Sequence, residues 1–179
     1  MARFFAFLRG INVGGRTVKK EVLQEAFGSL GFKNVCTFKQ SGNVIFETNA
    51  DDINDLEERI KAKLQTALGY SVPVFLRSKE QLMSVVKLEP FKGRNSEGSS
   101  FLVTLLPDVP PAAEFMSQLP LVIPKSTAQV ISAHGNEVFS ITHGGGEGAL
   151  PNSFIESKLK VKATTRNFNV VKDIVVKFG

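Results

Sequence analysis

Residues 35–48 read Val-Cys-Thr-Phe-Lys-Gln-Ser-Gly-Asn-Val-Ile-Phe-Glu-Thr. Two short runs rich in β-branched and aromatic residues, 35–39 and 44–48, flank Ser41, Gly42 and Asn43, which are turn-forming types, so the stretch predicts a β-hairpin. Upstream, Val22, Leu23, Ala26, Phe27 and Leu30 recur at helical spacing and Gly31 follows, which predicts a helix over 19–30. Before it, residues 3–9 (Arg-Phe-Phe-Ala-Phe-Leu-Arg) form an almost continuous apolar run, the pattern of a strand covered on both faces. Downstream, Ile53, Leu56, Ile60, Leu64 and Leu68 predict a second amphipathic helix with acids in its first turns, where the helix dipole favours them. Residues 72–76 then close the set as a strand. The order βαββαβ predicts a ferredoxin-like unit over 2–77, an antiparallel sheet with two helices on one face.

A connecting helix over 79–88 and the loop-like stretch 92–100 make residues 78–100 a linker. A second pass follows over 101–179: a strand at 101–106, a short helix at 112–119 after Pro110 and Pro111, and a hairpin of 128–132 with 137–142 turning at His134-Gly135-Asn136. Laying residues 40–48 over 133–141 aligns Gly42 with Gly135, Asn43 with Asn136 and Phe46 with Phe139. The fold class expected is therefore α+β, a duplicated ferredoxin-like plait with an additional C-terminal helix. Residues 157–164 alternate lysine with apolar residues, which suits either a lysine-guarded edge strand or the end of a helix. Phe168, Val171, Val175 and Phe178 predict the terminal helix, with Arg166 at its head and facing residues 9–16 or the first hairpin.

The 179 residues are 42% apolar and 22% charged with a single cysteine, which excludes a disordered chain, a collagen-like repeat and a disulfide scaffold. Cys36 has no partner for an internal disulfide and sits in a strand pattern that predicts a buried thiol. The opening apolar run is too short for a membrane span or a signal-peptide core, and a cytoplasmic protein is expected. Net charge is +5, and both ends are basic: residues 1–20 carry Arg3, Arg9, Arg16, Lys19 and Lys20 with no acid. That balance permits an anionic partner; scattered lysines otherwise serve as a solvated face.

Residues 10–17, Gly-Ile-Asn-Val-Gly-Gly-Arg-Thr, follow a buried strand and precede a helix, nearly matching a phosphate-binding P-loop. Arg16 replaces the lysine that reaches the phosphates, and the element order is not the parallel sheet on which P-loops sit. What survives is a glycine-rich turn that either binds an anion through backbone amides, Asn12 and the flanking arginines, or is a tight connection needing positive φ. No Ser-His-Asp arrangement is legible, because His134 and His143 flank one strand of the second half, far from Ser41. His134, His143 and Glu147 lack any recognised metal spacing, so no metal is expected, and nothing in the pattern requires a cofactor. The glycine-rich run 143–148 suits a flexible loop, a lid or a second anion cradle. An RNA-recognition motif would need a basic-Gly-aromatic pattern on its third strand, which residues 43–47 lack; Phe5 and Phe7 are the aromatics left to stack bases.

Three stretches in order, residues 8–15 (Leu-Arg-Gly-Ile-Asn-Val-Gly-Gly), 41–46 (Ser-Gly-Asn-Val-Ile-Phe) and 163–169 (Ala-Thr-Thr-Arg-Asn-Phe-Asn), make the chain resemble the bacterial family known as domain of unknown function 1697. The resemblance implies a cytosolic α/β protein of plait-like units and singles out the polar residues of those motifs. Phe168 stands where that family often has tryptophan. The expected binding residues are Arg9, Gly10, Asn12, Gly14, Gly15, Ser41, Asn43, Thr165, Arg166 and Asn167, gathered between the two halves. Arg9 and Arg166 would hold a small anionic or phosphate-bearing ligand, a nucleotide or nucleic acid among them, with Asn12, Ser41 and Asn43 orienting it. The rival is a structural or protein-interaction module in which these side chains cap turns. The residues name no reaction and no catalytic group.

Overall fold

The computed structural model describes residues 1–39, 42–50, 52–95, 97–108, 111–144 and 151–179. It is a mixed α+β structure with two antiparallel sheets and six helices among the described residues. The chain divides into two compact units, Met1–Leu82 with Phe178–Gly179, and Met83–Lys177.

The first unit contains β1 (Ala2–Leu8), α1 (Lys20–Gly28), β2 (Lys33–Thr37), β3 (Asn43–Thr48), α2 (Ile53–Leu68) and β4 (Val74–Ser78). Its sheet runs β2–β3–β1–β4 with antiparallel neighbours. Side chains alternate across a strand. Phe4, Ala6 and Leu8 of β1 therefore join Val44 and Phe46 of β3 in one core with Leu23 and Phe27 of α1 and Leu56, Ile60 and Leu64 of α2. Phe5, Phe7, Ile45 and Phe75 fall on the other side of the sheet and are buried as well. The aspartate at 52 caps α2, accepting from the amides of Asn54 and Asp55, and Gly69 ends that helix in the left-handed conformation.

The first strand is also anchored at its start. Arg3 Nε and Nη2 donate to Glu47 Oε1 at 3.1 and 2.6 Å, its Nη1 donates to the Phe178 carbonyl, and Asn34 Nδ2 donates to Glu47 Oε2 at 2.6 Å. The Arg3 hydrogen bonds, then that of Asn34, hold the Glu47 carboxyl below the usual carboxylate range. A carboxyl acidified by folding stabilises the folded state above its unfolded pKa, near 4.5, and that contribution is lost as pH falls and the folded form is protonated. Melting temperature should therefore drop on acidification below pH 4.5, and Glu47→Gln should remove part of that drop while starting from a lower value at neutral pH.

The second unit takes up α3 (Lys79–Lys87), within which the division falls, and continues with β5 (Ser99–Leu105), α4 (Ala113–Ser117), β6 (Leu121–Val122), β7 (Ala128–His134), β8 (Glu137–His143), α5 (Asn152–Leu159), β9 (Thr164–Asn167) and α6 (Phe168–Phe178). Its sheet runs β6–β7–β8–β5–β9, antiparallel throughout. Phe115 of α4 and Ile155 of α5 pack with Leu106, Val130 and Val138 in one core. Phe91, Phe101, Phe139 and Phe168 form a separate aromatic cluster with ring centroids 4.5–6.3 Å apart.

Of the two alternatives for 157–164 the structure has the helix end: residues 157–159 finish α5, Lys160 caps it at φ 58°, and edge strand β9 begins only at Thr164. Two local expectations need correction. Arg166 lies in β9 rather than at the head of α6, which starts at Phe168. Cys36 is half-buried, because β2 is an edge strand.

The amide of Leu8 bonds the Gly42 carbonyl at 2.8 Å, and that of Leu106 bonds the Asn136 carbonyl at 2.9 Å. Ser140 of β8 is fully buried with no hydrogen-bond partner for its hydroxyl among the described residues. Leaving a hydroxyl unsatisfied costs on the order of 1–3 kcal/mol. Ser140→Ala should therefore stabilise the protein by about 1 kcal/mol in denaturant unfolding.

Candidate functional site

The segment between β1 and α1 is a chain of left-handed turns. Gly10, Asn12, Gly14 and Gly15 have φ of 73°, 58°, 59° and 80°. Asn12 tolerates that conformation through its short polar side chain, and its Oδ1 accepts from the Val18 amide at 2.7 Å, folding the loop back toward the helix start. Helix α1 then begins after Lys19, which sits at the N-cap without a side-chain capping bond.

Opposite this loop stands the β2–β3 hairpin. Phe38 and Asn43 are tied by the Phe38 amide to the Asn43 carbonyl and by Asn43 Nδ2 to the Phe38 carbonyl, both at 3.0 Å, and Asn43 is 2% exposed. Lys39 follows at φ 54°.

Between loop and hairpin lies a cavity of about 580 Å3. Lys19, Lys20 and Lys39 are exposed at it, Thr17, Thr37, Asn12 and Asn43 add polar groups, and Val18 and Leu23 supply an apolar wall. No acid occurs among its described lining residues, although Glu21 sits 3.8 Å from the Lys20 ammonium. Three lysines lining one cavity at the start of α1 give a positive potential suited to an anion.

Of the residues expected to bind, Asn12 and Asn43 line this cavity. Ser41 lies outside the described residues, as do residues 145–148 of the glycine-rich run. Arg9, half-buried, and Gly10, Gly14 and Gly15 belong to the neighbouring loop but are not among the lining residues; the Arg9 amide bonds the Pro73 carbonyl at 3.0 Å. Arg16 stacks its guanidinium 4.3 Å from the centre of the Tyr70 ring.

The third motif is engaged within the second unit. Thr165 hydrogen-bonds Thr104 at 2.8 Å and also Asn152, and Asn167 Oδ1 accepts from the Asn169 amide at 2.9 Å, capping α6. Arg166 is 9% exposed, donating from Nη1 to Thr164 Oγ1 at 2.8 Å and to the Thr165 carbonyl at 3.0 Å. Burial pulls its pKa down to about 10.

Sequence reasoning missed Thr17, Lys19, Lys20, Thr37 and Lys39, because exposed lysines read as solvated surface. One signal was available: a Lys-Lys pair where a helix start wants a capping side chain.

No helix among the described residues is long and apolar enough to cross a membrane, and among them no group of His, Cys, Asp or Glu is placed to hold a metal. Phe5 and Phe7 are 2% and 0% exposed, so they offer no stacking platform for bases.

The family described as Protein of unknown function (DUF1697) matches residues 1–139, which takes in the first two of the three motifs and ends within β8. A solved structure of a conserved bacterial protein from Streptococcus pneumoniae is similar at 19% identity and a TM-score of 0.71, covering 99% of this chain and 98% of that one, a likeness of fold. No curated protein matches the chain.

Proposed function

The chain belongs to the DUF1697 family of proteins of unknown function, and from that premise we propose that its first unit binds a small anionic, phosphate-bearing ligand in the cavity between residues 12–20 and the β2–β3 hairpin. The observation that carries this reading is the convergence of Lys19, Lys20 and Lys39 on one cavity without an acid among its described lining residues. Ammonium groups are compact point charges that reach phosphate oxygens from several directions. Thr17, Thr37, Asn12 and Asn43 supply hydrogen-bonding partners around them.

We also propose that the two units are diverged copies of a ferredoxin-like plait. The order β7–β8–β5–β9 repeats β2–β3–β1–β4. In that register Arg77, opposite Phe5, corresponds to Arg166, opposite Val103; both are buried, and each donates Nη1 to the carbonyl of the residue before it, at 2.7 and 3.0 Å. The copies differ where the ligand is assigned. Asn43 corresponds to Glu137, which is 5% exposed, and Asn136 at the second hairpin donates to Asp108 at 2.8 Å. Carboxylates at those places disfavour an anion, which supports assigning binding to the first unit. The single cysteine suits the cytoplasm.

Calorimetric titration with inorganic pyrophosphate tests the reading. The parent should bind, and Lys19→Gln/Lys20→Gln/Lys39→Gln should lose at least 30-fold in affinity. Its melting temperature should move by only a few degrees, because exposed charges contribute about 0–1 kcal/mol each. Equal affinity in parent and variant would overturn it.

A further inference from the structure

Resting on the anion-binding reading, we infer that the cavity takes a phosphate monoester of a small neutral, hydrogen-bonding body rather than a free inorganic anion or a nucleic-acid strand. Size comes first. About 580 Å3 lies within the range of roughly 300–1,000 Å3 typical of small-molecule sites, far more than one phosphate fills. The lining is also graded in polarity. Lys19, Lys20 and Lys39 are exposed, whereas Leu23 is 4% exposed, Asn43 is 2% exposed, and Val18 and Thr37 are half-buried. An anionic group therefore belongs at the outer, lysine-bearing side, where its charge stays partly hydrated. The less exposed lining residues carry an amide, a hydroxyl and two aliphatic side chains, which suit an uncharged body with hydroxyl or amide groups and one apolar face.

A nucleic-acid strand fits this lining poorly. Single-stranded binding relies on aromatic side chains on which bases stack, along a groove that follows the backbone. None of the described lining residues is aromatic.

Thr37 is the residue to test. It lies at the end of β2, half-buried, and valine matches its shape and its strand preference while removing the hydroxyl. Calorimetric titrations of the full chain with inorganic phosphate, ribose 5-phosphate, adenosine 5′-monophosphate and a short single-stranded DNA give the readout. At least one of the two esters should bind 10-fold or more tighter than inorganic phosphate, and which one does so identifies the body as a sugar or a nucleoside. Thr37→Val should weaken that ester about 10-fold and leave inorganic phosphate unchanged, whereas Lys39→Gln should weaken both. Esters binding no better than inorganic phosphate would overturn the assignment of a body while leaving the anion site standing. Tighter binding of the DNA than of either ester would overturn it in favour of a strand. Absence of binding by every probe would overturn both this inference and the reading on which it rests.

Discussion

Phe46→Ala should destabilise the first unit by about 3–5 kcal/mol, the range for removing a fully buried aromatic ring. Phe46 is 0% exposed and joins the rings of Phe32, Phe27 and Phe4, with centroids 4.5, 5.4 and 5.9 Å away. Its ring connects β3 to β1 and α1, so truncation leaves a void that no single element can collapse to fill. The loss combines transfer of the ring to water, the cavity, and the aromatic contacts, which contribute about 0.5–1.5 kcal/mol per pair beyond area. Denaturant unfolding monitored by far-ultraviolet circular dichroism reads the change. A loss below about 1 kcal/mol would mean that this core relaxes far more than its packing implies.

The second large effect is expected at Gly42. Its φ of 69° lies in the left-handed region, and an added Cβ would stand 2.6 and 2.7 Å from Ile11 Cδ1 and Cγ1 and 3.2 Å from Leu8 Cβ. The backbone conformation alone costs a side-chain-bearing residue about 1–2 kcal/mol. Crowding two buried residues adds about 1–3 kcal/mol, since Leu8 and Ile11 are themselves packed in the core. Gly42→Ala should therefore cost about 2–5 kcal/mol. Gly14, at φ 59° with nothing within 4 Å of its Cβ position, supplies the control. Gly14→Ala should lose only about 1 kcal/mol, the backbone contribution without the clash. Equal losses at the two positions would show that Ile11 yields freely and that the hairpin does not rest on it.

These two residues also mark what the sequence could disclose. The hairpin was legible because its strands are β-branched or aromatic and its turn holds Gly42, where a side chain has no room. Both helices of the first unit were legible because Leu23, Phe27, Leu56, Ile60 and Leu64 repeat at helical spacing and do pack on one core. Matching Gly42 and Asn43 to Gly135 and Asn136 follows turn chemistry, which says which residues can turn but not which face the next residue presents.

The candidate site was legible only in part. Asn12 and Asn43 stood out because polar residues beside turns and strands attract attention, and both line the cavity. Lys19, Lys20 and Lys39 did not, because only folding brings the start of α1 beside the end of a hairpin. Arg166 misled for the opposite reason. Its neighbours Thr165 and Asn167 read as capping groups at a helix start, and Asn167 does cap α6. Placing the same residues on β9 turns the Arg166 side chain inward, where the Thr164 hydroxyl and the Thr165 carbonyl hold it.

The central question is whether the lysine-lined cavity of the first unit binds an anion. Amide chemical-shift mapping of the 15N-labelled chain during titration with pyrophosphate asks this residue by residue. The predicted result is a saturable set of shifts at Asn12, Val18, Lys20, Glu21, Lys39 and Asn43, fading as salt is raised because the attraction is screened, with the amides of β8 and α5 unmoved. Shifts confined to the second unit, or none at millimolar ligand, would contradict it.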